Sequence, residues 1–111
     1  MKALRVVFLS GALISGALAL NACGDGGEVA TPTDPTLARG QQVFRQNCSV
    51  CHGGKGGGGQ GPRLAGVVAG RYPNIDDQIA VITNGRAGMP AFGKQLSDDD
   101  IRAVAAYERS L

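Results

Sequence analysis

One run of five residues restricts this chain more than any other: Cys48-Ser49-Val50-Cys51-His52. Two thiols three positions apart reach the two vinyl groups of one porphyrin, and the adjoining imidazole then lies over the iron. The spacing therefore reads as a c-type haem attachment site. The same residue types also occur in zinc sites and in redox dithiols. A closed zinc site needs a fourth ligand, but the only other Cys is Cys23 and there is no second His. A thioredoxin-like dithiol belongs beside β-branched strand runs, whereas the residues after His52 are nearly all Gly.

The chain begins with Lys2 and Arg5, then runs uncharged from Val6 to Leu20. That is the pattern of an export signal, too short for a comfortable membrane span. Leu20-Asn21-Ala22-Cys23 follows at once and resembles a bacterial lipobox, which implies cleavage after residue 22 and lipid addition to Cys23. An ordinary signal peptide and an uncleaved membrane helix are the alternatives. With Cys23 lipidated and the other two cysteines on haem, none is left for a disulfide, despite an oxidising compartment. Residues 23–34 are small, polar and broken by Pro32, and so read as a flexible linker that keeps the following domain near the membrane.

Residues 35–111 form the expected domain. Asp34-Pro35 predicts a helix start, with Asp as N-cap and Pro at the first position. Leu37, Gly40, Phe44 and Cys48 then fall on one helical face. A mid-helix Gly costs ~1 kcal/mol against Ala, which close crossing by another helix would explain. The seven glycines among residues 53–61 read either as a low-complexity loop or as a turn packed tightly against a flat macrocycle. Ile75, Ile79 and Ile82 predict a short helix ending at Asn84-Gly85. Ser97 caps a last helix, with Asp100 as a capping-box partner and Ile101, Val104, Ala105 and Leu111 as its apolar stripe.

Taken in order, these motifs resemble the small class I cytochromes c over roughly residues 36–111. The resemblance implies an all-α fold of about four helices around one covalent haem c, bound through Cys48 and Cys51 with His52 as the proximal iron ligand. Gly61-Pro62-Arg63-Leu64 matches the segment beside that His, where the Pro62 carbonyl accepts the imidazole proton and Leu64 packs on the haem. Asn84-Gly85-Arg86-Ala87-Gly88-Met89-Pro90-Ala91-Phe92 resembles the distal loop, which makes Met89 the sixth iron ligand. An arbitrary Met is usually core filler, but only Met1 and Met89 exist and Met1 leaves with the signal. With one His, bis-His ligation is excluded. Gly40 and Phe44 match the family's crossing with the last helix, through Val104 and Tyr107. Glu108 departs from the apolar residue often found there.

The implied function is single-electron transfer between membrane redox complexes, not enzymatic catalysis, by an exported monomeric lipoprotein facing the periplasm or cell exterior. A haem-c subunit docked in a membrane dehydrogenase, oxidase or reductase is one alternative. A small-ligand sensor or weak peroxidase is another, if Met89 dissociates. Without Lys2 and Arg5 the basic residues equal the 9 acidic ones, and no basic stripe suggests nucleic acid. Arg45, Lys55, Arg63, Arg86 and Lys94 either are ordinary surface or form a basic rim that orients a partner. So few residues, with no Trp, cannot build a large core, so the chain without haem is expected to be largely unfolded.

Overall fold

The computed structural model describes residues 29–111, so the expected export signal, Cys23 and the first part of the expected linker lie outside the described residues. Five helical segments follow in order: α1 (Pro35–Asn47), α2 (Ser49–His52), α3 (Val68–Arg71), α4 (Ile75–Asn84) and α5 (Asp98–Ser110). Three are full helices. The other two, α2 and α3, are single turns beyond the elements that periodicity reveals, because four residues carry too little pattern. No strand occurs among the described residues, and their one antiparallel bridge joins Arg86 to Met89.

Local chemistry sets the helix ends. The Asp34 carboxylate accepts from the Leu37 N–H at 2.9 Å, with Pro35 at the first position. Asn74 caps α4 by accepting from Asp76 N–H at 3.0 Å, and Ser97 caps α5 by accepting from Asp100 N–H at 3.1 Å. The expected capping box is only half made. The Asp100 carboxylate turns instead to Arg39 of α1, which donates through Nε at 2.6 Å and Nη2 at 2.9 Å.

The crossing of α1 and α5 is the frame of the domain. A Cβ on Gly40 would collide with the Ala103 carbonyl and lie 2.7 Å from Tyr107 Cβ, so the two backbones touch where only Gly fits. One turn further on, the Phe44 and Tyr107 rings meet at 5.5 Å between centroids, tilted by 57°, a pairing worth ~1 kcal/mol beyond its buried area. Val43, Ile101 and Val104 complete this seam, and Val68 and Ile82 bring α3 and α4 onto it. Gln41 is also buried and donates to the Ala30 carbonyl at 3.0 Å. The described end of the linker is thereby held against α1.

Candidate functional site

A cavity of about 560 Å³ opens between the end of α1, α4, and the loops after α2 and α4. It is within the size range of cofactor sites, which are mostly apolar with a few placed polar groups. Cys48, Cys51, His52, Pro62, Leu64 and Met89 all line it. The structure thus brings together every residue singled out for cofactor binding in the described part of the chain. Of the five basic residues read as a possible rim, Arg45, Lys55, Arg63, Arg86 and Lys94, only Arg86 lines the cavity, where Arg71 joins it.

The His52 side is held from several directions. His52 is 6 % exposed, and its Nδ1 lies 2.8 Å from the Pro62 carbonyl oxygen. A carbonyl only accepts, so Nδ1 carries the proton and Nε2 keeps the free lone pair that a metal needs. A Cβ on Gly61 would fall 2.8 Å from His52 Cε1 and 2.9 Å from Nδ1; bare backbone therefore backs the imidazole. The glycine-rich loop is tied down by main-chain bonds. Gly58 N–H donates to the His52 carbonyl and Gly61 N–H to the Cys51 carbonyl, both at 2.8 Å, while Gly56 O accepts from Leu64 and Ala65 N–H at 2.9 and 3.0 Å. Composition alone does not distinguish this ordered turn from a low-complexity loop.

Met89 is delivered differently. Arg86 and Met89 exchange backbone bonds of 2.9 and 3.2 Å across a tight turn, in which Ala87 has φ 50°. The loop is anchored beyond it by Phe92 N–H to Ile82 O and Gly93 N–H to Thr83 O, each 3.0 Å. The Met89 side chain is half-buried and packs on the core cluster.

Two polar residues on the wall were not singled out as site residues. Glu108 of α5 and Gln78 of α4 line the cavity while being 4 % and 2 % exposed, and burial pushes the Glu108 carboxyl up to about 7, opposed by the hydrogen bond from Gln78. A signal for both existed: Gln78 stands between Ile75 and Ile82, and Glu108 after Ile101 and Val104, in the apolar registers of their helices. Burial, with smaller contributions from Glu108 and Cys51, pushes the Cys48 thiol up to about 12.

These residues fit a haem: two thiols, an imidazole with its tautomer fixed, a thioether and an apolar slot share one cavity. Among the described residues no three His, Cys, Asp or Glu side chains converge as a small metal-ion site requires.

Comparison with known proteins agrees. The family described as cytochrome c oxidase, cbb3-type, subunit III matches residues 35–107. Cytochrome c6 of Leptolyngbya boryana is 38 % identical over 73 residues, which span 63 % of this chain and 86 % of that protein. The cbb3-type cytochrome c oxidase subunit FixP of Azorhizobium caulinodans is 37 % identical over 87 residues, 74 % of this chain but 30 % of the subunit. Cytochrome cL of Methylophaga aminisulfidivorans superposes with a TM-score of 0.63 at 28 % identity, over 72 % of this chain and 57 % of that structure. The chain thus spans most of a cytochrome c6, little more than half of the cytochrome cL and under a third of the oxidase subunit.

Proposed function

This chain belongs to the cytochrome c family, and on that premise we propose that it is a membrane-tethered single-electron carrier whose haem c is held between His52 and Met89. The observation that carries the reading is the shared cavity: both prospective ligands line it along with the two attachment cysteines. When bound, the haem iron supplies one-electron chemistry by alternating between its ferric and ferrous states.

The chain's own residues do the rest. Cys48 and Cys51 would bond the porphyrin edge, which keeps the cofactor with the protein through every cycle. His52 offers Nε2 because Pro62 holds the Nδ1 proton. Met89 would offer its thioether as the second ligand to the group, which would raise its potential and compete with oxygen or peroxide. Leu64, Val68, Ile82 and Phe92 line the slot and exclude water. Arg71 and Arg86 are the basic residues among its walls, suited to carboxylates of the bound group, and Arg86 donates to the Tyr72 hydroxyl at 3.0 Å. Val50, between the two cysteines, also lines the cavity and adds apolar surface at the attachment edge. Lipid on Cys23 and the linker up to residue 34 would keep that edge near membrane redox complexes on the exported side.

The match to a cbb3-type subunit family favours one second reading, a haem domain docked on a membrane oxidase. Detergent extraction separates the two: the carrier runs as a monomer, and the subunit co-purifies in a stable complex. The carrier reading is tested by reducing the haem-loaded protein and adding carbon monoxide. A reversible one-electron couple with no rapid binding is expected; rapid binding would mean an open iron and overturn it in favour of a sensor or peroxidase.

A further inference from the structure

The cavity wall is interrupted by an acid–amide pair where α5 faces α4. Gln78 Nε2 donates to Glu108 Oε2 at 2.8 Å and, less directly, to the Ala105 carbonyl at 3.3 Å. The other end of the amide is fixed, since Gln78 Oε1 accepts from Arg109 Nη1 at 3.1 Å. That guanidinium also donates to the carbonyls of Tyr72 at 2.9 Å and Pro73 at 3.3 Å. Arg109 therefore orients Gln78 toward the carboxyl without pairing with it.

Lining the same cavity are Cys48, just after α1, whose thiol would be taken up by the haem bond, and Cys51 and His52 of α2. Arg71 and Tyr72 stand at and just after α3, and Arg86 follows α4. Among the described residues none of these cations forms an ion pair with Glu108. A carboxyl so enclosed, with one neutral donor, is poorly compensated when charged. Its shift toward neutral pH follows from that enclosure.

We propose that Glu108 is a proton-binding site coupled to the haem, its carboxylate taking up one proton from solvent when the iron accepts one electron and releasing it on oxidation. The step balances: a one-electron donor reduces ferric to ferrous iron, one O–H bond forms on the carboxylate, and the cavity's net charge is unchanged. The physical cause is Coulombic, because ferric iron carries one more positive charge than ferrous and favours the ionised acid in the same cavity. The inference rests on the one-electron carrier reading.

Midpoint potentials of the haem-loaded protein are to be measured from pH 5 to 9 for the natural chain, Glu108→Gln and Gln78→Leu. In the natural chain the potential falls with pH over a window, by up to tenfold in the equilibrium constant per pH unit, or about 59 mV. Glu108→Gln removes that slope. Gln78→Leu removes the donor that favours the anion and moves the window to higher pH. Redox-difference infrared spectra gain a protonated-carboxyl band on reduction in the natural chain and not in Glu108→Gln. A natural chain without slope, or an equal slope in Glu108→Gln, overturns the assignment. If Glu108→Gln fails to take haem, an unmoved window in Gln78→Leu overturns it instead. Loss of the reversible couple in the natural chain would fail the carrier reading; a reversible couple without slope fails the Glu108 site alone.

Discussion

The two sides of the cavity deliver their prospective ligands by different means. On the His52 side the ring is buried, its Nδ1 is engaged by Pro62, its back rests on Gly61, and the carbonyls of Cys51 and His52 are both bonded by the following loop. On the Met89 side a short turn closes on two backbone bonds, two more from Phe92 and Gly93 tie the loop to α4, and the side chain is half-buried. The difference follows from the ligands. An imidazole offers one lone pair in one direction and must be aimed, whereas an unbranched thioether has rotatable bonds and needs only to be brought near. A methyl group against the His52 ring should therefore cost more than one at the tip of the Met89 turn. Gly85 at the foot of that loop is also closed to a side chain, a Cβ there lying 2.7 Å from the Met89 carbonyl oxygen.

Removing what both walls enclose tests the frame itself. A Cys48→Ala/Cys51→Ala chain should lack a cooperative thermal transition by circular dichroism, since the cavity is the centre of a small core; a sigmoidal melt would show that α1 and α5 suffice. Next in size is Gly40→Ala, where the new Cβ meets the Ala103 carbonyl and Tyr107; about 3 kcal/mol should be lost by denaturant titration.

The sharpest comparison of the walls sets Gly61→Ala against Gly88→Ala. The first places a methyl group against the His52 ring and should cost about 2 kcal/mol with a displaced Soret band. The second meets nothing within 4 Å and should cost under about 0.5 kcal/mol. Equal losses would erase the distinction between the two sides.

Acidity gives a related effect. The Glu108 carboxyl moves from 4.5 to about 7 on folding, so its contribution is fully present below pH 4.5 and lost as pH rises through about 7. The natural chain should lose on the order of 3 kcal/mol across that interval relative to Glu108→Gln. The smallest expected change is Arg39→Ala, which removes the exposed bridge to Asp100; its slight loss in Tm should vanish at high salt.

Much of this was legible in the sequence because it lies in local pattern. Asp34-Pro35, Ser97 and the isoleucine spacing of α4 announce their helices, and Gly40 four residues before Phe44 announces a close crossing. What could not be read depends on which atoms meet across the fold. Asp100 stands where a capping box would use it, yet its carboxylate goes to Arg39, sixty-one residues away. The glycine loop is ordered by main-chain bonds, which leave no trace in side-chain type. Gln78 and Glu108 occupy apolar registers, but their polarity reads as surface until each is seen as the other's partner. The single turn α3 is too short to show a period.

The most direct test of the central claim, that His52 and Met89 hold one covalent haem between them, is the absorption spectrum of the oxidised haem-loaded protein beside Met89→Ala. A weak long-wavelength sulfur-to-iron band is expected in the natural chain, lost in the variant while the haem stays attached. A natural chain with attached haem and no such band would contradict it.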